Sequence, residues 1–287
     1  MALVTRHGAA APPSPVLVVA LEGWVDAGFA AATAVATVLE QVATETYATF
    51  DADELVDYRA RRPRMRVDDG VRAGITWAEP ELLVGTDRLG SGVAFLVGPE
   101  PDYRWRVFAR EVAVVAQEIG CRLVVGLGGF PTATPHTRAV RLASTASSGA
   151  LARSVGFIPG SIDVPTGIAD ALGAECSRAR IPSVGLWARV PHYVAAMSFP
   201  PAALALVEGL ESVSGIVVDT EELRASADTG RKRVDEIIAQ SSEHLAMVRR
   251  LEEQVEEGDE LEVPGAEDLP SGDEIAAELE RYLRGES

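Results

Sequence analysis

Aliphatic runs alternate with amphipathic or alanine-rich segments over the first 218 residues of the chain. Short continuous apolar runs are typical of strands buried on both faces of a sheet, and they occur at residues 16–21, 93–97, 123–127 and 181–187. Alanine content and helical periodicity predict helices between them, at residues 29–42, 103–119, 167–180 and 200–210. The alternation predicts an α/β fold with a mostly parallel central sheet covered by helices.

Weaker patterns predict further strands in the same region. β-branched and aromatic residues favour strands at residues 44–50 and 140–145. Residues 64–68 and 71–77 flank Asp69-Gly70, a dipeptide that favours the tight turn of a hairpin. A β-hairpin is therefore expected between the first and second long apolar runs.

The pattern changes near Asp219, where apolar residues begin to recur at close to heptad spacing. This spacing predicts one long amphipathic helix that ends near Gly258. Its seam consists of Val234, Ile238, Ser241, Leu245, Val248, either Leu251 or Glu252, and Val255.

A last helix is predicted near the end of the chain. Ser271 and Glu274 match a capping box, and the apolar residues that follow share one helical face. The chain is thus divided into a loose leader (1–15), an α/β core (16–218) and an acidic helical extension (219–287).

Charge is distributed unevenly over the 287 residues. The net charge is −17, and the residues from Asp219 onward contain 21 Asp/Glu against 8 Lys/Arg. Contacts to phosphates require a basic surface, so no nucleic-acid partner is expected. The acidic extension is typical of a solvated helical face.

The chain contains two cysteines, Cys121 and Cys176, far apart and without the spacing of zinc ligands. They are expected to be reduced and buried, which indicates a reducing compartment and no metal site. No segment has the pattern of a signal peptide or the length of a membrane span. We expect a cytoplasmic protein without a membrane anchor or a cofactor.

Two histidines follow prolines directly after predicted strands, in Pro135-His136 and Pro191-His192. Proline fixes the direction in which the next side chain leaves the strand, and ligand sites of open α/β sheets lie where strands end. Both imidazoles are therefore expected at a common rim as candidate acid–base groups. His192, beside Tyr193, is equally suited to a subunit interface.

Other residues near these strand ends are candidates for ligand binding. Arg138 lies two residues after His136, and in an extended loop the pair could hold a carboxylate or phosphate. Alternatively, Arg138 pairs with an internal carboxylate and His136 caps a backbone carbonyl. Gly128 and Gly129 belong to a glycine segment that could form an anion nest or only permit a tight turn.

The first strand is followed by Glu22, Trp24 and Asp26. The carboxylates could act as bases or bind hydroxyl groups, with Trp24 beside the ligand. Asp26 could instead cap the helix that follows. No serine lies in a G-x-S-x-G elbow, so a nucleophile of that type has no support.

Five motifs in order resemble the bacterial branch of the proteasome assembly chaperone family. They are Gly23-Trp24-Val25-Asp26-Ala27-Gly28, Asp57-Tyr58-Arg59-Ala60-Arg61-Arg62-Pro63, Gly98-Pro99-Glu100-Pro101-Asp102, Pro135-His136-Thr137-Arg138 and Leu186-Trp187-Ala188-Arg189-Val190-Pro191-His192-Tyr193-Val194. The resemblance implies a phosphorylase/hydrolase-like three-layer core, a helical C-terminal extension and a homo-oligomer, with a trimer preferred. Ala139 departs from the pattern, since a proline usually follows the fourth motif.

Two functional hypotheses follow. The first is a non-enzymatic homo-oligomeric scaffold or assembly factor, with proteasome components as candidate partners, as the resemblance implies. The second is an enzyme that acts on a small anionic or nucleoside-like ligand, with Arg138 holding the anion and His136 or His192 moving protons. One fold hosts unrelated functions, so the fold does not choose between them.

Overall fold

The computed structural model describes residues 3–23 and 25–256. The strands are β1 (Val4–Arg6), β2 (Val16–Glu22), β3 (Thr44–Phe50), β4 (Arg64–Asp68), β5 (Val71–Thr76), β6 (Glu81–Thr86), β7 (Gly92–Pro99), β8 (Leu123–Thr132), β9 (Leu142–Ala146) and β10 (Ser183–Pro191). The α-helices are α1 (Ala30–Leu39), α2 (Ala52–Leu55), α3 (Trp105–Glu118), α4 (Gly149–Val155), α5 (Ile168–Arg178), α6 (Pro200–Ser214), α7 (Glu221–Ile238) and α8 (Ser242–Glu256).

The aliphatic run of β2 forms the middle of an eight-stranded sheet with the order β1-β3-β6-β7-β2-β8-β10-β9. Strands β7, β2, β8 and β10 are parallel neighbours, whereas β6 is antiparallel to both β7 and β3. Five of the eight strands of this sheet therefore point the same way. The mostly parallel central sheet predicted from the sequence is confirmed.

The side chains of β2 alternate between two apolar cores because successive residues of a strand face opposite sides. Val16 and Val18 pack into the core formed with α1, α6, α7 and α8. Leu17 and Val19 pack into the core formed with α3 and α5. Helices cover both faces of the sheet, so the three-layer α/β architecture is also confirmed.

Two strands of the sheet, β1 at its edge and β6 inside it, were not predicted from the sequence. β1 pairs antiparallel with β3, with Val4 opposite Phe50, and β6 lies between β3 and β7. β1 has three residues, too few to show the alternation of apolar and polar residues that predicts a strand. In β6, Gly85 interrupts the apolar pattern, and a Cβ there would lie 2.6 Å from the carbonyl oxygen of Ala43.

The single long helix predicted for the extension is wrong, since two helices, α7 and α8, occupy that region. The break falls at Ser241, the polar residue of the predicted seam. Its hydroxyl accepts a hydrogen bond from the backbone N–H of His244 at 3.3 Å, as a helix cap does. Val234 and Val248 are nevertheless buried against the core. The final predicted helix and the predicted helix end near Gly258 lie outside the described residues.

The predicted hairpin is confirmed as β4 paired with β5. Asp69 and Gly70 have φ angles of 48° and 83°, the positive values that a two-residue hairpin turn requires. All residues of both strands are exposed. None of the helices in the described residues is long and apolar enough to cross a membrane.

Candidate functional site

Strands β8 and β10 end side by side, with Thr132 opposite Pro191 in a parallel pair. The loop that follows β8 carries His136, and a 3₁₀ turn, His192–Val194, follows β10. We use "carboxyl edge" for the edge of the sheet at which the parallel strands β7, β2, β8 and β10 end. Both Pro-His segments leave the sheet at this edge.

His136 is buried, with 2% of its surface exposed, and both ring nitrogens have partners. Nε2 lies 3.0 Å from Oδ1 of Asp235, and Nδ1 lies 2.7 Å from the hydroxyl of Tyr193. The carboxylate of Asp235 can only accept, so Nε2–H donates to it and Nδ1 accepts from the hydroxyl of Tyr193. The backbone N–H of His136 donates to the same hydroxyl at 2.8 Å.

Tyr193 lies between the two histidines. Its ring centroid is 5.7 Å from that of His136 and 5.3 Å from that of His192, both in edge-to-face geometry. His192 is exposed, and its Nδ1 lies 3.4 Å from the carbonyl oxygen of Thr132. The structure therefore brings both imidazoles to one place, but only His192 of the pair faces solvent.

Burial raises the pKa of Tyr193 to about 12, and the negative charges of Glu252 and Asp235 add to this shift. The phenol is therefore a neutral hydrogen-bond donor over the physiological range and a poor nucleophile. This state fits the donor role of Tyr193 toward His136.

The Pro-His loop holds the helical extension on the core. Asp235 belongs to α7, and Glu252 of α8 accepts a hydrogen bond from the hydroxyl of Thr137. Two adjacent loop residues thus bind two different helices. We call these contacts, with Tyr193, the latch. Asp235 and Glu252 lie about 100 residues after the loop in the chain. The sequence showed that the extension is acidic but did not indicate which of its carboxylates contact the loop.

Asp26 caps the first helix of the core. Its Oδ1 accepts from the backbone N–H of Ala31 at 2.7 Å, and its Oδ2 accepts from that of Ala32 at 3.0 Å. The first N–H groups of a helix have no acceptor inside the helix, and these two bonds satisfy two of them in α1. The capping alternative for Asp26 is the one that the geometry supports.

Glu22 is exposed at the end of β2, and its carbonyl oxygen accepts from the N–H of Glu100 at 2.7 Å. Trp24 lies outside the described residues. Glu100 belongs to the third of the five motifs but was not a candidate site residue. It is buried and accepts a hydrogen bond from the backbone N–H of Ile168 at 2.7 Å, at the start of α5. Glu100 therefore ties the end of β7 to α5.

Gly128 and Gly129 lie inside β8 rather than in a turn, so the anion nest considered for them does not form. A Cβ at Gly128 would overlap the ring of Trp187. A Cβ at Gly129 would lie 2.7 Å from the carbonyl oxygen of Ala27. Gly128 therefore leaves room for the side chain of Trp187 on the neighbouring strand, and Gly129 leaves room for the backbone that precedes α1.

Arg138 and His136 do not form the joint anion site that their spacing suggested. Arg138 is exposed and its N–H lies 3.5 Å from the carbonyl oxygen of Pro135, whereas His136 turns into the protein. A compact turn replaces the extended loop on which that expectation rested.

A groove of about 230 Å³ lies between α5 and strands β8, β9 and β10, on the side of the sheet opposite the latch. Its floor consists of Gly126 and Gly185, and Trp187 and Asp170 line its sides. Asp170 accepts from the hydroxyl of Thr145 at 3.0 Å. The sequence pattern did not predict this groove because its small residues come from four separate segments.

Large apolar side chains are exposed mainly in segments attached at the carboxyl edge. Of the fifteen such side chains in the described residues, eleven lie there: Val25, Phe29, Met65, Val67, Val71, Ile75, Trp77, Tyr103, Phe157, Ile162 and Val164. Phe29 also has a φ of 52°, in the left-handed region that bulky residues seldom adopt. Exposed apolar side chains concentrated at one edge are typical of an interaction surface.

These features define an α/β protein whose carboxyl edge anchors a helical extension and exposes apolar surface. The PAC2 family model matches residues 20–238, and the chain belongs to the PAC2 family. Its solved relatives place it in the bacterial branch of the proteasome assembly chaperone family that the sequence motifs indicated. No curated protein matches the chain.

Several solved structures are similar to this chain. Rv2714 of Mycobacterium tuberculosis, of unknown function, is 31% identical with a TM-score of 0.81, covering 89% of this chain and 91% of its own. A PAC2 family protein of Streptomyces avermitilis is 38% identical with a TM-score of 0.72, covering 82% and 99%. The proteasome-assembly chaperone homologue Rv2125 of Mycobacterium tuberculosis is 36% identical with a TM-score of 0.73, covering 81% and 99%.

Proposed function

We propose that the protein is a non-enzymatic, homo-oligomeric scaffold that acts in the manner of an assembly chaperone. The observation that carries this proposal is the concentration of exposed apolar side chains at the carboxyl edge. A catalytic cleft needs polar groups that converge on a substrate, whereas protein interfaces need apolar area rimmed by polar groups.

The polar groups at this edge support the same reading. Asp26 is bound to two backbone N–H groups of α1, and His136 is bound to Tyr193 and Asp235. Asp26 thus fixes the loop after β2 to the start of α1, and His136 fixes the loop after β8 to α7. The hydroxyl that His136 contacts is that of Tyr193, whose raised pKa makes it a poor nucleophile.

Membership of the family supports a proteasome component as the partner. Rv2125, a similar protein at 36% identity, is described as a proteasome-assembly chaperone homologue. An assembly chaperone binds subunits through surface that the finished assembly later covers. The exposed apolar segments at the carboxyl edge are suited to that task. We further propose that the protein acts in the cytoplasm and that it is a trimer.

The experiment is co-elution of the full-length protein with separately purified proteasome α-subunits, β-subunits and assembled core particles. The proposal predicts a complex with free subunits and none with the assembled particle. A matched variant, Phe29→Ser, should weaken this complex at least 10-fold, and the distant Val114→Ser should not. Absence of binding to every form, with the protein correctly folded, would contradict the proposal.

A second candidate is an enzyme with a phosphorylase/hydrolase-like core, favoured by the meeting of His136 and His192 at Tyr193. Such an enzyme would bind inorganic phosphate or a nucleoside, and a bound ligand raises the melting temperature. A rise in Tm with millimolar phosphate or inosine that is lost in His192→Ala would favour this candidate over the scaffold.

A further inference from the structure

The helix α4 and the chain on either side of it form a surface that buries nothing. None of the described residues 147–166 is buried. Phe157, Ile162 and Val164, in the segment between α4 and α5, are 48%, 53% and 55% exposed. Ordering a chain costs conformational entropy that burial normally offsets, so this surface is suited to a cover.

The same surface is basic. Residues 137–166 contain three arginines and one acidic residue, Asp163. Arg141 and Arg153 are exposed, and in the described part of the chain neither lies within ion-pair distance of a carboxylate. We use "α4 surface" for the exposed apolar and basic side chains of this region, namely Arg141, Arg153, Phe157, Ile162 and Val164.

The described part of the chain ends beside the α4 surface. Glu252, near the end of α8, accepts a hydrogen bond from the hydroxyl of Thr137, and Arg141 follows Thr137 by four residues. The hydroxyl of Ser144 donates to the carbonyl oxygen of Gly156 at 2.8 Å, which holds the segment before α5 against β9. The residues that follow α8 therefore begin close to this surface.

The sequence beyond α8 has the complementary charge. Residues 257–287 contain eleven Asp/Glu and two Arg, so they carry −9 of the net charge of −17. Opposite charges on two surfaces favour their association and fix its orientation. The most acidic part of the chain is thus attached next to a basic surface.

The helix predicted from Ser271 also has the complementary pattern of apolar and charged positions. At about 3.6 residues per turn, Glu278 and Glu280 border its apolar face on either side, and Arg281 and Arg284 lie on the opposite face. The apolar face itself consists of Ile275, Leu279, Tyr282 and Leu283. An amphipathic helix of this kind binds through its apolar face.

We propose that the helix predicted from Ser271 docks on the α4 surface of the same chain. Its apolar face covers the three apolar side chains of that surface, and its two bordering glutamates lie beside Arg141 and Arg153. Fourteen residues, 257–270, join it to α8, and an extended chain of that length spans about 45 Å. The connection is therefore long enough for docking within one chain.

This contact is separate from the function proposed above. It assigns three of the eleven exposed apolar side chains at the carboxyl edge to a contact within the chain. It leaves Phe29 and the other apolar side chains of that edge available to a partner.

The test is disulfide formation within one full-length chain. Leu279→Cys is combined with Phe157→Cys, and the control combines it with Leu89→Cys, an exposed site in the turn between β6 and β7 at the opposite edge. The native cysteines, Cys121 and Cys176, are buried. Burial raises the pKa of their thiols to about 12 and about 11, which suppresses background reaction.

The proposal predicts that the one-chain disulfide forms at least about 10-fold faster with Phe157→Cys than with Leu89→Cys, because docking raises the effective concentration at one site. Equal rates would overturn the proposal. Single variants with different tags are also mixed, and a two-chain disulfide that forms as fast as the one-chain product would overturn it in favour of a second copy as the cover. The native mass is measured separately, so either failure leaves the proposed self-association standing.

Thiol labelling gives an independent readout, with Phe157→Cys as the reporter in the full-length chain. Leu279→Glu places a charge in the apolar face of the predicted helix and should speed labelling by about 10-fold, because the α4 surface then opens more often. Ala277→Glu adds the same charge on the opposite face of that helix and should leave the rate unchanged. One labelling rate for all three proteins would contradict the proposed docking.

Discussion

The Nε2 atom of His136 lies 3.0 Å from the carboxylate of Asp235, 99 residues further along the chain. This contact joins the loop after β8 to α7 and is completed on the other ring nitrogen by Tyr193. The histidine that the sequence indicated as a candidate acid–base group is thereby held in a buried network. Its proximity to His192 results from packing around one tyrosine.

The first prediction compares the two histidines. His136→Ala removes a buried ring and leaves the hydroxyl of Tyr193 and the carboxylate of Asp235 each without one hydrogen-bond partner, so the free energy of unfolding should fall by about 2–4 kcal/mol. His192→Ala, a matched change at an exposed site, should alter it by less than about 0.5 kcal/mol. Urea denaturation measures both. Equal losses would contradict the structural role given to His136.

Asp26→Ala tests the cap of α1. The variant loses two charge-assisted hydrogen bonds to backbone N–H groups, and stability should fall by about 1–2 kcal/mol. Asp26→Asn keeps one acceptor oxygen and should lose less. Hydrogen exchange localises the effect, since the amides of Ala31 and Ala32 should exchange faster. Unchanged exchange at those amides would rule out the capping role.

Gly128 and Trp187 are predicted to be coupled. Gly128→Ala places a methyl group where the indole ring of Trp187 lies, which should cost about 1–3 kcal/mol of stability. Trp187→Leu makes room, so the double variant should lose less than the sum of the single losses. Thermal melts of the four proteins give the coupling energy. Strict additivity would show that the two residues do not compete for space.

Asp87 should contribute to acid sensitivity. Burial acts to raise its pKa, but backbone N–H groups of Val217, Ser91 and Leu89 bind the carboxylate and hold the pKa below its ordinary value. A lowered pKa in the folded protein means that its stabilising effect is present above the unfolded pKa of about 3.9 and is lost as the pH falls further. Asp87→Asn should therefore reduce the slope of stability against pH below about pH 4.

The urea midpoint as a function of pH measures this effect. Asp53→Asn is a suitable control, because its carboxylate is exposed. An unchanged slope in Asp87→Asn, with the same slope in the control, would show that other carboxylates dominate acid unfolding.

Local patterns were sufficient for much of the fold. The aliphatic run at residues 16–21 predicted the central strand because burial on both faces leaves no polar position. Asp69-Gly70 predicted the hairpin turn because both positions adopt positive φ. The strand β6 forms by pairing with β3 and β7, which lie elsewhere in the sequence. Its own residues show too weak a pattern to predict it.

The candidate site was less accessible from sequence. The Pro-His segments indicated the correct edge of the sheet, but the partners of His136 come from β10 and α7, at separations that leave no local signal. The glycines of β8 were interpreted as a turn because the bulky partner that requires them, Trp187, lies on a neighbouring strand. The break at Ser241 shows that one polar residue in a heptad seam can begin a new helix when its hydroxyl caps it.

Sedimentation equilibrium of the full-length protein at micromolar concentration tests the central claim most directly. The chain has a mass of 30.4 kDa. The account predicts a mass close to three times that value. A mass of one chain in the unmodified protein would contradict it.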